Sequence, residues 1–143
     1  MAVKEAIGMK KGFALALVLA ICALIAPAAP SNDEMKATGE AWLALIDNQN
    51  YAESWREASS VFRAQVSEQK WTDAMKNSRE PFGAPVSRKL LRVSFAKALP
   101  GAPDGEYAVL QFQTSFAKKA DSVETVTFML DDGKWKSAGF FIR

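Results

Sequence analysis

The residues best equipped for chemistry are few. Asp47 and Tyr51 stand four positions apart. A carboxylate sunk in an apolar pocket beside a phenol could act as a base, because burial raises a carboxyl pKa. Asn50 breaks the helix between them, so Asp47 also reads as a helix-end group and Tyr51 as a core aromatic with its hydroxyl at the rim. A second group is Tyr51, Trp55, Trp71, Arg79 and Arg88. Aromatic and guanidinium side chains line ligand clefts, which makes Tyr51, Trp55, Arg79 and Arg88 the ligand-binding candidates. In so small a domain Trp55 and Trp71 are expected in the core. Arginine is rarely buried without a partner, and Glu57, Glu80 or Glu124 could supply one. Asp131-Asp132-Gly133 is the nearest approach to a calcium loop, but Asp-Gly between strand patterns reads as a hairpin turn.

Other chemistries are excluded by composition. There is no histidine, hence neither the usual base near neutral pH nor the commonest metal ligand. The single cysteine, Cys22, lies in an apolar N-terminal run, so residues 29–143 hold no disulfide, thiol nucleophile or thiolate metal site. No glycine-rich phosphate loop precedes a helix; the glycines of Pro100–Gly105 lie between strands. No metal and no cofactor are expected. After residue 28 the chain has 15 basic and 15 acidic residues, a neutral balance without broad attraction for nucleic acid or anionic lipid.

Lys10 and Lys11, the apolar run Phe13–Ile25 and the small residues of Ala26-Pro27-Ala28 have the order of a cleavable signal peptide. The division expected is a signal peptide over 1–28, a polar lead-in over 29–36 and one domain over 37–143. Export to the periplasm or the exterior follows, with membrane contact only through the signal. An uncleaved anchor is the alternative, although the run falls short of the roughly 20 residues that span a bilayer. Bulky Ile21 before Cys22 argues against lipid attachment.

The elements that must position these residues fall into two halves. A helix is predicted from near Met35, carrying Ala41, Trp42, Leu45 and Ile46. Asn50 with Glu53 reads as a capping box for a second helical face, Tyr51, Trp55, Ala58, Phe62 and Val66, with a kink at Ser59-Ser60. Ser67 starts a helix bearing Trp71 and Met75, ended by Glu80-Pro81. The pattern then switches to period two, giving four antiparallel strands, with Asp132-Gly133 as the last turn. The fold class expected is α+β: two or three N-terminal helices on one face of a curved, cone-like four-stranded sheet. Its core face is assigned Leu91, Val93, Phe95, Leu110, Phe112, Val126, Phe128, Leu130, Phe140 and Ile142.

The outer face then carries Val109, Gln111, Gln113, Thr125, Thr127, Met129 and Phe141, with Trp135 near its end. It is poor in charge, the compositional mark of an interface core. Gln111, Gln113, Thr125, Thr127, Met129 and Phe141 are the interface candidates, facing a second copy in a homodimer or another envelope protein. A solvated face whose threonines simply suit strands is the plain alternative.

Several stretches together resemble the bacterial family known as domain of unknown function 4019. They are Ala41-Trp42-Leu43 with Ile46-Asp47, Tyr51, Ser54-Trp55, Phe62 and Trp71, then Arg79, Pro81, Gly83 and Arg88. The most specific is Leu99-Pro100-Gly101 with Pro103-Asp104-Gly105-Glu106-Tyr107, followed by Gln111-Phe112, Thr114-Ser115-Phe116, Glu124 and Trp135 with Gly139-Phe140. The likeness runs from about Ala37 to Arg143. It implies export and a fold rather than a mechanism. At the level of fold, helices before a curved sheet are similar to the nuclear-transport-factor-two-like and cystatin-like cones, which host enzymes and binding modules alike. The function expected is a small-ligand or protein binding module without catalysis; the alternative is a cone-fold enzyme using a pocket carboxylate or tyrosine.

Overall fold

The chain is described by a computed structural model over residues 28–143. The expected signal peptide therefore lies outside the described residues, apart from Ala28. Helix α1 spans Asn32–Asp47, starting earlier than the hydrophobic stripe alone suggested. The reason is a capping box: the Glu34 amide donates to Ser31 Oγ, and the Ser31 amide donates to the Glu34 carboxylate. The face Tyr51–Val66 is two short helices, α2 (Tyr51–Arg56) and α3 (Ser60–Gln65). Ser59 stops one and caps the next, its hydroxyl accepting from the Phe62 amide. Asn50 makes no side-chain cap, so the box expected with Glu53 does not form. Ser67 does cap α4 (Glu68–Ser78). A 3-10 turn, Glu80–Phe82, then leads into the sheet. Among the described residues no helix is long and apolar enough to cross a membrane.

Strands β1 (Pro85–Ala96), β2 (Tyr107–Phe116), β3 (Lys119–Asp131) and β4 (Lys134–Ile142) form one antiparallel meander in that order. Asp132 and Gly133 both have positive φ, 52° and 72°, and make the two-residue turn between β3 and β4. This is the α+β architecture expected, with more and shorter helices. Both open edges are blunted. Bulges at Val86 and Leu91 interrupt β1. At β4 the Ser59 amide donates to the Ser137 carbonyl, and the Asp131 carboxylate accepts from the Ser60 amide. That backbone hydrogen bond holds the Asp131 pKa below the usual carboxylate range.

Helix α1 crosses β1 and β2 closely. A Cβ built on Gly39 would sit 2.7 Å from Leu110 Cδ2 and 3.1 Å from Phe112 Cζ, so the glycine sets the helix–sheet distance. In a helix Ala is favoured over Gly by about 1 kcal/mol. Overpacking a buried site costs roughly 1–3 kcal/mol, and both neighbours are fully buried. Gly39→Ala is therefore expected to lower stability by on the order of 1 kcal/mol, read by urea unfolding. An unchanged or raised midpoint would show that Leu110 and Phe112 can yield.

The core lies between this layer and the sheet's inner face: Met35, Trp42, Leu43, Ile46, Trp71 and Met75 against Ala108, Leu110, Phe112, Val126 and Phe128. Two strand assignments need correction, and two hold only in part. Leu91 is 52 % exposed because it is the extra residue of a bulge: Leu90 pairs with Phe112 and Arg92 with Gln111. An added residue flips the faces of everything beyond it, so Leu90 and Arg88 point inward on one side of the bulge and Val93 and Phe95 on the other. Trp135 also points inward, against the expectation that it ends the outer face. A bulge at Ala138 reverses the parity set by Phe141, and Trp135 pairs with Leu130. Phe95 and Leu130 do face inward but stay 46 % and 40 % exposed. They form an apolar end with Trp135, whose ring lies 6.3 Å from that of Phe95.

Candidate functional site

Two places collect the candidate residues. The first is an ionic network at one end of the core. Asp47 is the last residue of α1, Arg79 follows α4, Arg88 lies on β1, Thr114 on β2 and Glu124 on β3. Arg88 forks onto both carboxylates: Nη1 and Nη2 donate to Asp47 at 2.8 and 3.0 Å, Nε and Nη2 to Glu124 at 2.7 and 3.1 Å. Arg79 Nη2 donates to Asp47 Oδ1 at 3.0 Å and its Nη1 to the Gly83 carbonyl at 2.8 Å. The guanidinium stacks 4.3 Å over the Phe116 ring. Thr114 Oγ1 donates to Glu124 at 2.8 Å. Glu124 is wholly buried, Arg79 nearly so, and the Arg79 Nε hydrogen has no partner among the described residues.

The electrostatics of this cluster close on themselves. Two cations meet two anions, so the buried charge sums to zero. Burial alone would lower the Arg88 pKa; the hydrogen bonds and charges of Asp47 and Glu124 outweigh it and raise it further. Asp47 sits where the α1 dipole is negative, an unfavourable end for an anion, and the two arginines offset that. With their oxygens engaged by guanidiniums, these carboxylates are occupied as hydrogen-bond acceptors. What the network does is join α1, the α4 terminus, β1 and β3 through one set of directional bonds.

The other candidates lie elsewhere. Tyr51 is buried at the start of α2, and burial, then the Glu80 charge, raise its pKa, keeping the phenol neutral. It lines a shallow open depression of about 390 Å³ with Glu53, Arg56, Thr72 and Lys76. Trp55 is half-buried; its indole donates to the Val66 carbonyl at 2.6 Å and Arg63 lies 5.9 Å over its ring. Arg79 and Arg88 thus meet through Asp47, while Trp55 is tied to the α3 end. Glu124 was one of the partners the sequence offered. Asp47 as partner of both arginines was missed; the only signal was that Arg88 shares its strand face with Leu90 when the bulge at Leu91 is known.

The second place is the outer face of the sheet, opposite the described helices. Cross-strand partners share a face, so the register gives four rows that cross all four strands, with Ser87 and Ser115 beyond them at one end and Asp131 and Lys134 at the other. Arg92, Gln111, Thr125 and Phe141 form one, flanked by Lys89, Gln113, Val123 and Arg143. On the other side lie Ser94, Val109, Thr127 and Gly139, then Ala96, Tyr107, Met129 and Lys136. All six interface candidates are on this face. Phe141 is 50 % exposed, with the Arg143 guanidinium 5.7 Å over its ring. Thr125 is buried by its neighbours, and its hydroxyl has no hydrogen-bond partner among the described residues. Met129 is buried beside Tyr107, whose hydroxyl donates to Pro103 in the β1–β2 loop at 2.5 Å.

Among the described residues no three of His, Cys, Asp or Glu are grouped to hold a metal ion. A comparison with curated proteins gave no match. Residues 38–140, from within α1 into β4, match the family described as "Protein of unknown function (DUF4019)". The match takes in the whole ionic network and the outer face apart from Phe141 and Arg143, and the chain belongs to that family.

Proposed function

We propose that the protein is exported and works outside the cytoplasm as a protein-binding module without catalysis, its working surface the outer face of the sheet. The observation that carries this is Phe141. A large aromatic stands half exposed on a strand face, paired with Thr125 and with the Arg143 guanidinium over its ring, opposite the described helices. A solvated face usually alternates to clearly polar residues, whereas aromatic, Met and Arg side chains together, with no acidic ones among them, mark a contact surface. The groups that could serve acid–base chemistry, Asp47 and Glu124, are engaged by arginines instead. Export rests on the N-terminal order of charge, apolar run and small residues.

Site-specific photo-crosslinking in the native host tests this. A photoreactive residue at exposed Gln113 is expected to give protein adducts in the envelope or the medium, and one at exposed Gln69 on the helical layer to give none. The processed protein should lack the Met1–Cys22 peptide by mass spectrometry. Adducts from Gln69 alone, or an intact N-terminus in the cytoplasm, would overturn the proposal.

A further inference from the structure

The neutral balance of the chain hides an uneven division. Residues 29–82, which form the helical layer, carry six basic and nine acidic side chains; residues 83–143, which form the sheet, carry nine basic and six acidic. On the outer face the inequality is sharper. Its four full rows hold Lys89 and Arg92 on β1, Lys136 on β4 and Arg143 just beyond it, and no acidic side chain; Asp131 lies one row further on, paired with Lys134 and bonded to the Ser60 amide. Lys89, Arg92 and Arg143 are exposed and Lys136 half-buried. None of the four is ion-paired with another described residue. The cations therefore flank an uncharged centre on both sides.

From this placement we infer that the outer face docks an acidic protein surface, with Lys89, Arg92, Lys136 and Arg143 reading carboxylates around the uncharged centre on β2 and β3, which Phe141 borders. The inference rests on the binding role proposed above and names the partner's chemistry. A second copy fits less well: pairing this face with itself sets four cations against four with no acidic side chain in those rows, and like-charge juxtaposition opposes association. Size agrees. Four strands about 4.8 Å apart, in rows about 7 Å apart, give a face on the order of 15 by 20 Å, below the roughly 800 Å² per partner of a standard stable interface. A small patch framed by charge suits a transient contact whose encounter rate is raised by steering.

The test uses the protein as its host processes it, with poly-L-glutamate of about 20 residues as probe. Amide NMR shifts are expected at Gln111, Gln113, Thr127 and Phe141 rather than on the helices, and binding should weaken as salt screens the charges. Lys89→Glu with Arg143→Glu is expected to weaken binding at least tenfold. Reversing two exposed lysines of the helical layer, Lys70→Glu and Lys76→Glu, should leave it within twofold. Amide dispersion confirms folding of each variant, and Arg92→Glu is an independent single change on the same face. Equal loss from the helical reversals, or no binding, would overturn the inference. So would tighter binding to phosphatidylglycerol vesicles than to poly-L-glutamate, or a concentration-dependent mass in light scattering that the face variants abolish. If Gln113 crosslinks a protein while poly-L-glutamate is not held at the face, only the acidic partner falls; if neither occurs, the binding role falls too.

Discussion

Replacing Arg88 with methionine is expected to cost roughly 3–5 kcal/mol, the range for breaking a buried ion pair from one side. Methionine keeps much of the side-chain volume, so the loss is electrostatic rather than a cavity. Four hydrogen bonds disappear. Glu124, wholly buried, would keep only the Thr114 hydroxyl, and Asp47 only Arg79. For small domains 1 kcal/mol moves Tm by about 4–8 °C, so a fall of more than about 10 °C should be seen calorimetrically. Removing the orphan as well, in Arg88→Met with Glu124→Leu, is expected to recover part of the loss, because the Asp47–Arg79 pair remains and no unpaired charge is left. A fall below about 1 kcal/mol in Arg88→Met would mean that water reaches the network and screens it as on a surface.

Trp42→Ala is expected to cost a similar roughly 3–5 kcal/mol, here by cavity formation. The Trp42 ring packs 6.2 Å from Trp71 and 5.7 Å, edge-on, from Phe140, bridging the helical layer and β4. Its indole N–H donates to the Ser54 carbonyl, while the Trp71 indole donates to the Ser54 hydroxyl, which itself donates to the Tyr51 carbonyl. One serine thus holds both tryptophans. Trp42→Phe keeps most of the apolar area and loses the polar anchor, so about 1–3 kcal/mol is expected for a carbonyl left unpaired. Urea unfolding of the two variants separates the terms. Equal losses would mean that the hydrogen bond, not ring volume, dominates.

The plan of the fold was legible because its signals are local. Periods near four followed by period two gave helices before strands. Ser67 gave a cap and Asp132-Gly133 a turn, each a preference written in one or two residues. The inner residues of β2 and β3 were legible too, since those two central strands carry a steady alternation from Ala108 to Phe112 and from Val126 to Phe128.

The edge strands and the fate of the charged residues were settled only by the tertiary structure. Alternation shows that two faces exist, but one bulged residue exchanges them, and Leu91 and Ala138 do so on β1 and β4. Those bulges depend on pairing with a neighbouring strand, which a local pattern does not contain. They turn Leu91 out, Trp135 in, and Arg88 toward the core. Once Arg88 faces inward, burial demands counter-charges, and the fold supplies Asp47, 41 positions earlier, and Glu124, 36 later. The sequence by itself determined that any arginine taken into the core needs a partner, because the cost of burying a charge is a property of the side chain. Which carboxylates answered them was decided by long-range geometry, because chain closure brings distant residues to one point.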